Sequence, residues 1–359
     1  MFGRLSQILR RRPEVLFLCS ATIDETWIRS TAIACQAVGL RARLAICGDS
    51  DPQILERYAR ARLTVEFISC LADLAGIDSE LVVTASSGLD RSMFPTKARH
   101  FVHMPHSLAS LHMIYPADAF DGYDVLFAAG PQHQREWERL SATRRGRARP
   151  CVPLGYGKID VLRELPTCRD HQTPHVLIAP SWGPDNLLDR MGRELVLGML
   201  EKGWHVTVRP HPLFMIERAP VVEVLKALSD AHPNCELENP LSGNSALGIA
   251  DLLVGDYSGT AFEFCALHAR PVVSVNVGLK EVNPQWRALG LVPVELALRA
   301  ALGASVSPEL GAVLNAVERL LADPGAGERA AACAPQFIFA HRDHCGQRAA
   351  GALRTLAAA

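Results

Sequence analysis

Short apolar runs alternate with longer amphipathic stretches along most of this chain, and the alternation occurs twice. The first series of predicted strands covers residues 14–20, 41–48, 64–69, 80–86, 98–104 and 124–130, and the second covers 175–181, 205–210, 250–256 and 271–277. Helical stretches separate them, for example residues 24–39 and 186–203, which end at Gly39 and Gly203. Strands that alternate with helices form right-handed βαβ units, so each series predicts a parallel sheet with helices on both faces.

The alternation is interrupted between residues 141 and 174, a stretch rich in arginine, proline and glycine. A chain of 359 residues is long enough for one domain on either side of such a break. We therefore predict an α/β protein of two Rossmann-like lobes that face a cleft, where the carboxyl ends of the strands would hold a ligand. The expected limits are 1–12 for a basic amphipathic lead-in, 13–150 for the first lobe, 151–172 for a linker, 173–335 for the second lobe, and 336–359 for a C-terminal helix that packs back on the first lobe.

Composition narrows the functional classes. The formal net charge of −1 argues against a broad electrostatic contact with nucleic acid. The ten cysteines are scattered, mostly in apolar runs and without a CxxC pair, which is typical of buried thiols in a reducing compartment. No apolar run is long enough to span a bilayer and the start of the chain lacks a secretory signal, so we expect a cytoplasmic protein.

The first twelve residues combine apolar and basic side chains. Phe2, Leu5, Ile8 and Leu9 lie near one helical face, and arginines occupy positions 4, 10, 11 and 12. Two interpretations fit this pattern equally well. One is a solvated lead-in helix, and the other is a short anchor on the anionic inner face of the cell membrane, which would make the protein peripheral.

The segment "HVTVRPHP" (205–212) ends a predicted strand with a histidine between two prolines. Proline has no N–H, so the hydrogen-bond ladder stops there, and each residue before a proline is pushed to extended geometry. His211 is therefore held at the rim of the sheet, two residues after Arg209. A turn that happens to contain a histidine is the simpler interpretation of this segment alone, but a fixed imidazole beside a cation suits an anionic ligand.

The segment "DLLVGDYSGTAFEF" (251–264) ends a buried strand at Asp256 and opens a helix with Ser258, Gly259 and Thr260. A helix N-terminus has unpaired N–H groups and a positive dipole end, so hydroxyls and a glycine there predict a phosphate cradle. An ordinary N-cap by Asp256 or Ser258 is the alternative.

The segment "HFVHMPHS" (100–107) places His106, followed by Ser107, at the end of a strand in the first lobe. His100 and His103 precede it, but no carboxylate partner accompanies the three histidines, so we predict no metal site. A single general base at His106 is the better interpretation.

These three segments together resemble motifs of the CDP-glycerol glycerophosphotransferases, enzymes that build teichoic acids and related capsule polymers. "RPHP" is similar to that family's Lys-Pro-His-Pro element, and "MPHSLAS" to its His-Gly-Thr or His-Ser element. "GDYSGTAFEF" is similar to its Asp-Tyr-Ser-Ser segment and the Phe-Asp pair that follows, with Phe262 and Glu263 at the pair. "PLGYGKIDVL" (153–162) is similar to a connecting segment, and the order and spacing agree over residues 98–275.

The resemblance implies a GT-B-like fold and a phosphoryl transfer. A polyol phosphate, such as glycerol phosphate, would pass from a CDP-activated donor to a hydroxyl of a cell-envelope glycan or lipid-linked acceptor. The first lobe would be the acceptor side, with His106 as the base and Ser107 beside it, and the second lobe would bind the donor, with His211 on its pyrophosphate. The residues implied to hold the donor phosphate are Arg209, Asp256, Ser258, Gly259 and Thr260. Positioned cations and N–H dipoles suit this transition state, and a requirement for Mg²⁺ is left open.

Departures from the family pattern keep other functions open. The family's lysine in the His-Gly-Thr element has no match, since Leu111 and His112 fall in that region, and Gly259 replaces the second serine. Arg209 replaces a lysine and keeps its charge. The alternatives are a GT-B glycosyltransferase with a nucleotide-sugar donor, and a non-catalytic nucleotide- or polysaccharide-binding member of the family.

Overall fold

The computed structural model describes residues 14–74, 79–94, 98–165, 167, 173–239, 245–339 and 344–359. The expected lead-in, residues 1–12, lies outside these ranges. The described residues form two α/β lobes, each built around one parallel sheet, as the alternation of strands and helices predicts.

The first lobe contains a seven-stranded parallel sheet in the order β3-β2-β1-β4-β5-β6-β7. Its strands are β1 (Glu14–Cys19), β2 (Arg41–Cys47), β3 (Thr64–Ile68), β4 (Leu81–Thr84), β5 (His100–His103), β6 (Val125–Ala128) and β7 (Cys151–Pro153). The helices are α1 (Glu25–Ala34), α2 (Pro52–Arg60), α3 (Pro131–Arg145) and α4 (Gly157–Leu162). Strand β7 and helix α4 occupy the stretch expected as a linker, and β7 ends in a proline, which an edge strand tolerates.

The second lobe contains a six-stranded parallel sheet in the order β10-β9-β8-β11-β12-β13. Its strands are β8 (His175–Ile178), β9 (His205–Val208), β10 (Cys235–Leu237), β11 (Leu252–Gly255), β12 (Val272–Val275) and β13 (Gly303–Val306). The helices are α5 (Leu187–Glu201), α6 (Pro212–Glu217), α7 (Ala219–Ala231), α8 (Ser245–Ile249), α9 (Thr260–His268), α10 (Val294–Ala297), α11 (Leu310–Leu321) and α12 (Ala326–Ala331).

Both sheets reverse their strand order beside the first strand of the lobe. In the first lobe β1 lies between β2 and β4, and in the second β8 lies between β9 and β11. The helices on either side of such a reversal leave a crevice at the carboxyl ends of the strands. The two crevices are where the candidate site is built.

An apolar cluster joins the two lobes. It includes Leu108 and Ala129 from the first lobe, Tyr156 from the segment after β7, and Leu253 and Phe262 from the second lobe, all buried. Burial of large apolar side chains on both sides stabilises the contact between the lobes. The floor of the cleft is therefore a well-packed apolar contact between the lobes.

The last helix, α13 (Cys345–Ala358), packs on the first lobe against α1. Its buried face is made of small residues and one leucine, and the N–H groups of Cys345 and Gly346 donate to the Asp160 carboxylate at 3.2 and 2.8 Å. Small residues allow the two helix backbones to approach closely. No helix of the described residues is long and apolar enough to cross a membrane.

Substitution of Gly346 tests this packing. An added Cβ would lie 2.4 Å from the carbonyl carbon of Ser30 and 2.5 Å from its oxygen, and backbone atoms of α1 cannot rotate away. We expect Gly346→Ala to lower the free energy of unfolding by about 1–3 kcal/mol in urea denaturation. The matched control is Gly351→Ala on the same helix, where no heavy atom lies within 4 Å of an added Cβ. The control should stabilise the protein by up to about 1 kcal/mol, and equal effects of the two substitutions would contradict the packing.

Candidate functional site

The two lobes contact each other between Ser107, in the segment 100–107, and Gly259, in the segment 251–264. Ser107 follows β5 in the first lobe, and Gly259 precedes α9 in the second. A Cβ on Gly259 would lie 2.2 Å from the Ser107 Oγ, so a larger residue at this position requires the Ser107 hydroxyl to rotate away. The Ser107 hydroxyl also accepts a hydrogen bond from the N–H of Ala109 at 3.1 Å.

His106 lies at the mouth of the first lobe's crevice and is partly buried. Its Nδ1 is 2.7 Å from the carbonyl oxygen of Ala85, and its Nε2 is 3.0 Å from the hydroxyl of Tyr115. Burial lowers the pKa of His106, although the Ala85 carbonyl and the charge of Asp24 oppose this. The imidazole is therefore neutral at pH 7. Because a carbonyl can only accept, Nδ1 carries the proton and Nε2 offers its lone pair.

His211 caps α6 with extended backbone geometry, φ −64° and ψ 145°, immediately before Pro212. Its Nδ1 accepts a hydrogen bond from the N–H of Leu213 at 3.2 Å. Burial, together with the nearby charges of Lys280 and Arg209, lowers the pKa of His211 to about 3. The imidazole is therefore also neutral, and because Nδ1 accepts, the proton lies on Nε2.

The two histidines thus have opposite tautomers. His106 has a basic Nε2, whereas His211 has an Nε2–H that can donate. A basic nitrogen suits proton removal from an alcohol, and a neutral N–H donor suits an anionic oxygen. The sequence predicts both residues at the site, and the structure adds the proton position of each.

Lys280 lies beside the candidate site, and the sequence analysis did not single it out. It lies in the loop after β12, and its Nζ is 4.4 Å from the ring centroid of Trp182, which in turn contacts His211 with ring centroids 5.9 Å apart. Among the described residues, none of the ion pairs includes Lys280. Burial lowers the pKa of Lys280 to about 8, while Asp256 and Glu295 oppose the shift. No motif marks Lys280, but its place after a strand's carboxyl end follows the same rule that identified the histidines.

Other predicted donor-phosphate residues are engaged by the protein itself. Arg209 is buried and forms an ion pair with Glu238, Nε to Oε2 3.1 Å. The buried Asp256 accepts from the N–H of Ser181 at 2.6 Å and of Leu187 at 3.3 Å, which fixes the start of α5 and the loop that bears Trp182.

The N–H groups at the start of α9 already donate within the chain. Thr260 donates to the Ser258 hydroxyl at 3.2 Å, Ala261 to the Ser258 carbonyl oxygen at 3.2 Å and Phe262 to the Gly259 carbonyl oxygen at 3.1 Å. The N-cap is Gly259, which has no side chain, so neither Asp256 nor Ser258 is the N-cap. Gly259 and Thr260 are partly exposed at the cleft. A phosphate at this helix end would meet the positive end of the α9 dipole.

A buried carboxylate, Glu263 in the first turn of α9, links the lobes behind the two histidines. It accepts a hydrogen bond from the Tyr156 hydroxyl at 2.6 Å and from Lys158 Nζ at 2.7 Å. The Tyr156 hydroxyl also accepts from the indole N–H of Trp27 at 2.8 Å and lies 2.8 Å from the His106 carbonyl oxygen. The sequence analysis noted Glu263 within a motif without predicting this network.

A second polar contact holds the lobes together at the position of the missing family lysine. Burial alone would lower the pKa of His112, but the Glu136 carboxylate, 3.2 Å from Nδ1, raises it overall. Beside it, the hydroxyl and N–H of Ser110 donate to Glu295 of the second lobe at 2.6 and 3.1 Å. The region around Leu111 and His112 therefore binds the second lobe.

Metal-binding side chains are not grouped in the part of the chain that the structure describes. No three or more histidine, cysteine, aspartate or glutamate side chains there are arranged to hold a metal ion.

Comparison with solved structures places the fold. No protein-family model matches the sequence, and no curated protein matches it either. A putative UDP-N-acetylglucosamine 2-epimerase from Listeria monocytogenes is similar with a TM-score of 0.66 and 11% identity over 96% of each chain. The UDP-GlcNAc 2-epimerase of Methanocaldococcus jannaschii, in complex with UDP-GlcNAc and UDP, has a TM-score of 0.62 and 13% identity over 96% of this chain and 100% of its own. The wall teichoic acid polymerase TagF, soaked with CDPG, has a TM-score of 0.59 and 13% identity over 96% of this chain and 87% of its own. The chain has the two-lobed α/β architecture of the GT-B fold.

Removal of the Glu263 charge tests the link between the lobes. Glu263→Gln leaves the Lys158 ammonium buried without its carboxylate, and we expect a loss of about 3–5 kcal/mol in the free energy of unfolding. The matched control is the double variant Lys158→Met/Glu263→Gln, which removes both charges and should recover most of that loss in the same urea titration. A single variant as stable as the unmodified protein would refute a structural role for the pair.

Proposed function

We propose that this protein is a transferase that moves a polyol phosphate from a CDP-activated donor to a hydroxyl of a cell-envelope glycan or lipid-linked acceptor. The observation that carries the proposal is the pair of neutral histidines with opposite tautomers, one from each lobe and close enough that the charge of His106 would lower the pKa of His211. A transfer to an alcohol needs both properties, a base for the attacking oxygen and a donor for the phosphate oxygens.

The second lobe supplies the groups that a nucleoside diphosphate needs. At the carboxyl ends of β9 and β12, the Nε2–H of His211 and the ammonium of Lys280 offer donors, and the start of α9 after β11 adds the positive end of a helix dipole. Because these groups are held in a partly buried cleft, their interaction with phosphate oxygens is screened less than it would be at an open surface. Charge that gathers on those oxygens during transfer would be stabilised without reorganisation of the site.

The first lobe supplies the base. The acceptor oxygen attacks the phosphorus that carries the polyol, the new O–P bond forms, and the bond to CMP breaks with its electron pair on the departing phosphate. The acceptor proton leaves toward His106, whose Nε2 is unprotonated. A neutral base with a depressed pKa is ready to accept that proton at pH 7.

The choice of CDP rests on the resemblance of the three motifs over residues 98–275. TagF, soaked with CDPG, is among the structurally similar proteins, and so are epimerases of UDP-GlcNAc. A nucleotide-sugar donor is therefore the second candidate, since the same phosphate groups would suit it. Both donors belong in the first experiment.

Nucleotide binding and turnover separate these candidates. We expect CDP at a hundred times its Kd to stabilise the protein by about 2.7 kcal/mol, and UDP and GDP to raise the melting temperature much less.

Mass spectrometry of products from CDP-glycerol and UDP-GlcNAc with lipid-linked acceptors then identifies the transferred group. Equal shifts with all nucleotides would refute the CDP assignment, and His106→Ala should abolish turnover while CDP still binds. Binding of CDP without any product would favour the non-catalytic alternative.

Lys280 makes nucleotide binding depend on pH. A lysine with a pKa of about 8 is charged below that pH and neutral above it, so the affinity for CDP should fall as pH rises past 8. Lys280→Met should weaken binding at pH 7 by about 1.5–3 kcal/mol and abolish the decline between pH 7 and 9. Calorimetric titration measures both, with Lys226→Met on the exposed face of α7 as the control for loss of one lysine. A decline that persists in Lys280→Met would assign the titration to another group.

A further inference from the structure

The basic nitrogen of His106 already has a hydrogen-bond partner. Tyr115 Oη lies 3.0 Å from Nε2, while Nδ1 is 2.7 Å from the Ala85 carbonyl oxygen. The carbonyl fixes the proton on Nδ1, so the bond at Nε2 must be donated by the tyrosine hydroxyl. An acceptor hydroxyl that binds directly to Nε2 would first have to displace Tyr115.

Tyr115 is held firmly in this position. Its ring contacts His106 edge to face with centroids 5.6 Å apart and Phe120 with centroids 5.3 Å apart. The preceding segment is fastened to the second lobe, because the Met113 carbonyl oxygen accepts from the N–H groups of Val282 and Asn283, both at 3.0 Å. Rotation of the phenol away from the imidazole would break the ring contacts with His106 and Phe120. The neighbouring segment cannot move with the ring, because Met113 is bonded to the second lobe.

The tyrosine hydroxyl can accept a proton while it donates one. A phenol oxygen keeps lone pairs after its own O–H is engaged. Burial, with the charges of Glu295 and Glu136, raises the pKa of Tyr115, so the hydroxyl carries its proton throughout the neutral range. The chain acceptor O–H to Tyr115 Oη–H to His106 Nε2 is therefore complete once the acceptor arrives.

We propose that Tyr115 is a catalytic residue that relays the acceptor proton to His106. As the acceptor oxygen bonds to phosphorus, its proton passes to Tyr115 Oη, and the proton of Tyr115 passes to Nε2. The P–O bond to the nucleotide breaks with its electron pair, Tyr115 ends neutral, and His106 ends as an imidazolium. The relay rests on the proposed transfer, and in it Tyr115 is the residue that contacts the acceptor hydroxyl.

Burial and the charges of Lys280 and Lys158 lower the pKa of His106, but two neighbouring groups favour the imidazolium that this step creates. The Ala85 carbonyl oxygen accepts from Nδ1–H in both protonation states, and the Asp24 carboxylate favours the positive charge. Asp24 is itself held by the N–H and hydroxyl of Ser20 and by the Ser86 hydroxyl, at 2.8, 2.7 and 3.1 Å. These two groups offset part of the cost of a buried imidazolium.

Tyr115→Phe tests the relay, because it keeps the ring and removes only the hydroxyl. We expect kcat to fall by about 100-fold or more at saturating donor, with the thermal shift caused by CDP unchanged. Tyr58→Phe, a buried tyrosine of α2, is the control for loss of a phenol hydroxyl and should leave kcat unchanged. A Tyr115→Phe variant with unchanged or higher kcat would overturn the relay, since His106 would then take the proton directly.

A double variant separates a relay from two independent effects. If Tyr115 and His106 act as one unit, Tyr115→Phe/His106→Gln should be no slower than the slower single variant. Losses that multiply would overturn the proposal.

A titration without turnover distinguishes failure of the relay from failure of the proposed function. The Tyr115 hydroxyl binds the neutral form of His106, so its removal should raise the pKa of His106 measured by NMR of the ring protons. A rise supports the hydrogen bond on which the relay depends, and an unchanged pKa overturns it. If the unmodified protein transfers no donor group, the proposed function fails. This titration still decides whether the Tyr115 hydroxyl donates a hydrogen bond to His106 Nε2.

Discussion

The buried carboxylate of Glu263 is the point on which the arrangement of the cleft depends. It lies in the first turn of the helix that begins at the donor side, and it binds Lys158 and Tyr156 from the segment that joins the lobes. Through Tyr156 the same network reaches the backbone of His106. A buried ion pair contributes little net stability because both charges lose their hydration, so its main effect here is to fix geometry. His106 on the first lobe and the start of α9 on the second are thereby held in a fixed position relative to each other.

Burial then sets the charges inside that fixed frame. Desolvation is the largest influence on the pKa values of His106, His211 and Lys280, and it acts against the charged form of each. The two imidazoles become neutral, whereas Lys280 keeps its proton at pH 7. The cleft therefore offers the Nε2–H donor of His211 and the ammonium of Lys280. In the proposed transfer, that combination would bind a phosphate oxygen while the opposite imidazole accepts a proton, which a pair of imidazolium ions could not do.

The sequence predicts the parts of this site that follow a strand, because the carboxyl ends of parallel strands always meet at one edge of a sheet. His106, His211 and Gly259 are of this kind. Their partners depend on how loops fold, which no local pattern records. Tyr115 reaches His106 from nine residues away through a segment without regular secondary structure. Glu238 pairs with Arg209 from the end of a neighbouring strand, so the cation beside the predicted histidine is already neutralised by a carboxylate. The edge strand β7 was not predicted from the sequence, because a strand of three residues that ends in proline has too little periodicity to be distinguished from a linker.

The absence of the family's lysine from the first lobe is consistent with catalysis once the whole cleft is considered. Where that lysine would stand, Leu111 is buried and His112 binds Glu136, and this stretch fastens the first lobe to the second. A cation still lies beside His211, because Lys280 enters from the opposite lobe and lies over Trp182, which contacts His211. A protein that only bound nucleotides would need this cation but would have no use for a histidine whose basic nitrogen is held ready by a tyrosine. The His106–Tyr115 pair is the feature that a binding protein does not explain, and it favours catalysis over binding alone.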